Sequence, residues 1–238
     1  MIPWVHIDTA AVPGGGSLRL MRRGAEFSIR LEDNELMNSR LSGSEEALAT
    51  LCCERLTGPA PRMLIGGLGM GFTLRAALGR LGPQAQVVLA ELVPAVVAWA
   101  RGPMTEVFCG CLDDSRVRIR EADVGALIAA ERAAYDAILL DVDNGPDGLT
   151  RASNDRLYSV GGLRDAFTAL RPGGVLAVWS SGPDAAFARR LRNAGFAVEE
   201  VRVRANGKRG GARHVIWMAT RPAGGGPRQV GPRQVGPR

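Results

Sequence analysis

The chain has 238 residues, 46% hydrophobic and 23% charged, enough for one α/β domain with a sizeable core and a small appendage. No apolar run reaches the roughly 18 residues a membrane helix needs, and Pro3, His6 and Asp8 interrupt any leader-like N-terminus, so a cytoplasmic protein is expected. The net charge is +6, but residues 202 to 238 carry nine of the 30 Lys/Arg and no acid, which leaves 21 bases against 24 acids before them; basicity confined to one end argues against a nucleic-acid partner.

Along the chain, Ser17–Met21 and Glu26–Leu31 alternate around Arg22-Arg23-Gly24-Ala25 and predict a β-hairpin. A helix is expected from about Ser44, with Ser44 as its cap and Ala47, Leu48 and Leu51 on one face. Gly58-Pro59-Ala60-Pro61 closes this N-terminal unit, 1–60. The paired cysteines, Cys52-Cys53 and Cys109-Gly110-Cys111, lack C-x-x-C spacing. With only His6 and His214 to complete a site, no metal is expected.

From Arg62 strands and helices alternate. Strands are predicted at Met63–Gly66, Gln86–Ala90, Val117–Arg120, Ala137–Leu140 and Val175–Trp179. Helices are predicted at Thr73–Leu81, Pro94–Arg101, Val124–Ala133, Gly162–Leu170 and Asp184–Ala194. Ala197–Arg204 and His214–Thr220, joined by a Gly/Lys/Arg-rich turn, predict a terminal hairpin. The whole is an α/β Rossmann-like, class I methyltransferase fold: a seven-stranded, mostly parallel sheet with a small N-terminal β-hairpin/helix unit. The catalytic domain spans 61–221. A Gly/Pro/Arg tail, 222–238, repeats PRQVG and is expected to be disordered.

The strand Met63-Leu64-Ile65 runs into Gly66-Gly67-Leu68-Gly69-Met70-Gly71 and then a helix. Gly67, Gly69 and Gly71 allow a sharp turn and close approach to a ligand at a helix N-terminus. Phe72 stands where a dinucleotide fingerprint has its third glycine, which disfavours a nicotinamide enzyme. Glu91 ends the second strand, placed to accept both hydroxyls of a ribose. Asp123, after the third, either accepts from an adenine amine or caps the next helix. Asp141 ends the fourth and projects into the crevice where such sheets bind ligands. The loop beyond it holds Asp143, Asn144, Asp147 and Asp155, of which Asp155 reads as a helix cap.

Residues 62–179 resemble the spermidine synthase-like branch of the S-adenosylmethionine-dependent transferases. The resemblance rests on GGLGMG at 66–71, Glu91, Glu121-Ala122-Asp123, DVDNGP at 141–146 and Leu157-Tyr158. Glu35-Leu36-Met37-Asn38-Ser39-Arg40 and Glu45-Glu46 are similar in placement to that family's N-terminal region. It implies that Glu91 binds ribose, Asp123 adenine and Asp141 the acceptor amine, with Asp143 and Asn144 near the substrate. Three features depart from the aminopropyltransferases of that branch. Met70 replaces the acid of their glycine loop, Asn144-Gly145 breaks their D-x-x-D-P motif, and their Tyr-His-Glu cluster is not recognisable near 35–40.

The expected activity is therefore methyl transfer from S-adenosylmethionine to a small amine, with Asp141 as base and Tyr158 as second candidate. The alternative is aminopropyl transfer from decarboxylated S-adenosylmethionine, supported by the four acids of the 141–155 loop. The glycine loop, lacking the acid, is expected to offer free N–H groups to the carboxylate of the intact cofactor. A homodimer is expected. A nucleic-acid- or nucleoside-binding module acting through the basic end is the reading from a different class.

Overall fold

A computed structural model describes residues 2–142, 156–207 and 210–224. Its first four strands, β1 (Val5–Ala11), β2 (Ser17–Arg23), β3 (Glu26–Leu31) and β4 (Asn34–Asn38), form an antiparallel sheet in sequential order. The β2–β3 hairpin turns at Gly24, whose φ of 61° suits glycine. The hairpin matches the expected one, and β1 and β4 flank it as strands not expected from the sequence. β1 is an edge strand with nearly every residue exposed, so no apolar alternation marks it.

The helix α1 (Gly43–Cys53) follows. Its cap position is Ser42, not Ser44 as expected; Ser44 lies buried inside the first turn. The reason is tertiary. Gly43 N donates to Ala205 O at 2.9 Å, and a side chain at Gly43 would overlap the Gly207 backbone, so the helix start is pressed onto the turn at 205–207.

Then come β5 (Arg62–Gly66), α2 (Phe72–Leu78), β6 (Gln86–Glu91), α3 (Pro94–Arg101), a short α4 (Thr105–Phe108), β7 (Val117–Glu121), α5 (Val124–Ala129) and β8 (Tyr135–Leu140). After the loop follow α6 (Val160–Ala169), β9 (Leu170–Ser180), α7 (Ala185–Asn193), β10 (Ala197–Arg204) and β11 (Arg213–Thr220). They build a seven-stranded sheet in the order β10-β11-β9-β8-β5-β6-β7. β5 pairs in parallel with both β6 and β8, and the two terminal strands are antiparallel. Two helices are shorter than expected. α2 stops at Leu78, and α5 stops at Ala129 because Ala133 takes a left-handed φ of 44° and pairs with Thr168 O on the way into β8.

The central strands are apolar without alternation because both faces are covered. Met63, Ile65, Ala137 and Leu139 enter one buried cluster with α1–α3 and with Leu20, Phe27 and Ile29 of the N-terminal sheet. Leu64, Ile138 and Leu140 enter the other, with Phe187 and Trp217. The N-terminal sheet therefore shares its core with one face of the large sheet and overhangs the carboxyl ends of β5 and β6. Among the described residues no helix is long and apolar enough to cross a membrane. The repeats of 225–238 lie outside the described residues.

Candidate active site

The site grows from the carboxyl edge of the sheet, where the strand order reverses around β5. Gly67 N donates to Ala90 O (2.9 Å), Ala122 N to Glu91 O (2.9 Å) and Asp141 N to Gly66 O (3.0 Å), so four strand tips end level with one another. Gly67 sits at φ 91°, and a Cβ there would overlap the Asp141 carbonyl oxygen. One at Gly71 (φ 76°) would enter the Phe108 ring. At Gly69 it would stand 3.1 Å from Met37 Sδ, so β4 covers the loop from above.

Two cavities open here. The floor of the first is Gly67, Gly69, Glu91, Asp123 and Asp141, and its roof Leu18, Ile29 and Met37 of the N-terminal sheet. The second lies between that sheet, α1 and β11, and is lined by Ser44, Glu45, Met70, Trp179, His214 and again Asp141. Gly69, Leu36 and Met37 also line both, so the cavities meet at Asp141. Among the described residues, no Lys or Arg lines either cavity, whereas four carboxylates do.

Glu91 is 8% exposed. Its Oε2 accepts from Leu68 N at 3.0 Å and its Oε1 from Val93 N at 2.8 Å, which fixes the carboxylate between the glycine loop and the start of α3. Asp123 caps α5, accepting from Gly125 N at 2.7 Å, and lines the first cavity as well, so the two sequence alternatives are compatible in one side chain. Asp141 Oδ2 accepts from Thr73 Oγ1 at 2.6 Å. Burial, then the nearby Glu45 charge, push Asp141 up to about 7, against the pull of the Thr73 hydroxyl. Burial likewise raises Glu45, which Ser44 partly offsets. Tyr158 is buried, edge-on to Phe187, with its hydroxyl 3.4 Å from Val142 O; it lines neither cavity. Asp143, Asn144, Asp147 and Asp155 lie outside the described residues.

The glycine loop meets its expectation only in part. The glycine loop was to supply free N–H groups to a carboxylate, yet Gly67 N, Leu68 N and Gly71 N are engaged by Ala90 O, Glu91 and Leu68 O. Met70 is buried and faces the second cavity, not the first. Thr73, Glu45 and His214 were not singled out from sequence as functional. Glu45-Glu46 entered only as part of the family resemblance, without a role, and the other two carry no local signal.

No family model matches the chain. In sequence it is 34% identical over 156 residues to polyamine aminopropyltransferase 1 of Streptomyces coelicolor, covering 62% of this chain and 28% of that protein. It is 34% identical over 148 residues to the polyamine aminopropyltransferase of Mycobacterium tuberculosis, covering 58% and 27%. The chain thus spans little more than a quarter of the length of these relatives. In fold it is similar to a spermidine synthase crystallised with the transition-state analogue AdoDATO (TM-score 0.72, 19% identity, 94% of this chain and 74% of that one). The spermidine synthase of Thermotoga maritima is similar to the same degree (TM-score 0.72, 18% identity, 94% and 74%). The class I methyltransferase-like α/β fold with an N-terminal antiparallel sheet is thereby shown, as is the likeness to the spermidine synthase-like branch.

Proposed function

We propose that this chain transfers an aminopropyl group from decarboxylated S-adenosylmethionine to an amine. The observation that carries this reading is the charge of the joined cavities: Glu91, Asp123, Asp141 and Glu45 line them, and no Lys or Arg does among the described residues. The decarboxylated donor is a sulfonium with an ammonium and no carboxylate, so its charge complements such a site, whereas intact S-adenosylmethionine would bring an anion among carboxylates. The names of the relatives, polyamine aminopropyltransferases, support the same reading. Methyl transfer, the first expectation, has fewer loop N–H groups to call on, because those of Gly67, Leu68 and Gly71 are internally engaged.

In this reading the donor's ribose meets Glu91 and its adenine Asp123, while Gly67, Gly69 and Gly71 let the backbone approach. Asp141 stands where donor and acceptor meet. The acceptor nitrogen attacks the methylene carbon bonded to sulfur; the C–N bond forms, the C–S bond breaks with its electron pair to sulfur, and methylthioadenosine leaves. The nitrogen's surplus proton passes to Asp141, whose affinity near 7 suits a base at neutral pH. The chemistry neutralises a cation, so the protein's main task is to position and desolvate the reactants.

Methyl transfer remains the second reading, favoured by Met70 in the loop. Incubation with each donor and a panel of amines, followed by mass spectrometry, separates the two. Methylthioadenosine with an amine heavier by an aminopropyl group is expected; S-adenosylhomocysteine with a methylated amine would overturn the first reading.

A further inference from the structure

Besides its apolar contact, the four-stranded sheet is held over the first cavity at both edges. At one edge, β4 runs on through residues 39–42 into α1, so the chain itself is the support. At the other edge, β1, the support is a hydrogen bond. The pairing of β1 with β2 steps from His6↔Met21 to Asp8↔Leu20, which leaves Ile7 as a one-residue bulge. Opposed residues of an antiparallel pair point to the same face, so the bulge turns Asp8 onto the face of the fully buried Leu20. Without it Asp8 would stand opposite Arg19, on the other face. Asp8 Oδ2 accepts from the indole Nε1 of Trp99 at 2.7 Å, and its Oδ1 accepts from Thr9 N at 2.8 Å. Among the described residues this indole bond is the one hydrogen bond between strands β1–β4 and the seven-stranded domain. It holds the Asp8 carboxyl below its ordinary range, so the acceptor is a full carboxylate at neutral pH. Trp99 is buried in α3, three residues beyond Val96, and Val93 and Val96 line the first cavity beside Glu91. The roof residues Leu18 and Ile29 belong to β2 and β3, the strands suspended between the two supports.

Resting on the reading of this cavity as the donor's nucleoside site, we infer that Asp8 and Trp99 form a latch whose bond sets the spacing between the Leu18–Ile29 roof and the α3 wall, and whose opening lets the nucleoside product leave. Neither side chain lines the cavity, so both are positioning residues. Asp8 is exposed, so the bond opens without stranding a buried charge, while the edge at β4 stays fixed by the chain. Such a latch acts on residence time more than on the chemical step, because Asp141 and the β4 residue Met37 meet at the opposite edge of the roof.

The test measures dissociation of methylthioadenosine by surface plasmon resonance for wild type, Asp8→Ala, Asp8→Asn, Trp99→Phe and the double variant Asp8→Ala/Trp99→Phe. Asp8→Ala and Trp99→Phe should each speed dissociation about tenfold, the scale of one hydrogen bond to a charged group. Asp8→Asn, whose amide oxygen still accepts from the indole, should stay within about threefold of wild type. The double variant should be no faster than either single one, because both remove the same bond. Unchanged dissociation in the single variants, with only the melting temperature lowered, would reduce the pair to a packing contact and overturn the latch. Single effects that multiply in the double variant would overturn it too. A wild type that binds no methylthioadenosine would overturn the latch and the nucleoside site together. Faster dissociation from the variants of a protein that transfers nothing would sink aminopropyl transfer and leave the latch standing.

Discussion

Asp141→Asn removes one ionisable group while keeping the side chain's shape, and the amide oxygen can still accept from Thr73. Asp141 is held at about 7 against an ordinary value of 3.8, so the folded protein binds its proton more tightly than the unfolded chain does. Between about pH 4 and pH 7 the native state therefore carries more protons than the unfolded state, and wild-type stability falls as pH rises through that window. A tenfold change in proton affinity corresponds to about 1.4 kcal/mol, so the rise from 3.8 to about 7 corresponds to roughly 4.5 kcal/mol; water entering the open cavity reduces it to on the order of 2–4 kcal/mol. Asn carries no such penalty. Urea unfolding should show the variant gaining on wild type by this amount between pH 4 and pH 8, with little further change above pH 8. Turnover should fall by roughly 10²–10⁴-fold as the base is lost, with donor affinity retained. Parallel stability curves for variant and wild type would refute the claim that Asp141 is a desolvated carboxylate, and unchanged turnover would remove it from the chemistry.

Thr73→Val deletes the hydroxyl that lowers Asp141. The acid limb of the pH–rate profile should move upward by about one unit, consistent with roughly 1.5 kcal/mol for a hydrogen bond to a charged group, and Thr73→Ser should restore it. A profile unmoved in Thr73→Val would show that this bond does not tune the base. Glu91→Ala removes both the proposed ribose acceptor and the partner of Leu68 N and Val93 N, so calorimetry with the decarboxylated donor should show a loss of about 2–4 kcal/mol. Equal affinity in wild type and variant would place the ribose elsewhere.

Much of this architecture was legible in the chain before any coordinates. Parallel strands covered on both faces must be apolar throughout, so runs such as Met63-Leu64-Ile65 and Ala137–Leu140 announce themselves without a partner. A carboxylate closing such an apolar run, as at Glu91 and Asp141, stands out in the sequence, and the glycines of 66–71 mark a backbone that something must approach. Those signals are local, carried by neighbours in sequence. The donor cavity's floor is made of such residues, and its roof comes from a sheet of which only the central hairpin could be read.

The second cavity was decided by tertiary structure alone. β11 inserts between β9 and β10, which carries His214 to the middle of the sheet's edge and within 3.0 Å of Ser44, 170 residues earlier. The contact holds because the start of α1 has no side chain at Gly43 and can press on the turn at 205–207. This turns Ser44 inward and brings Glu45 beside Asp141. No periodicity or motif encodes that meeting, because each residue's local pattern is satisfied equally well by an ordinary helix start and an ordinary strand. The choice between an intact and a decarboxylated donor followed the same course: Met70 in the loop suggested one answer, and the summed charge of four carboxylates from separate parts of the chain favoured the other.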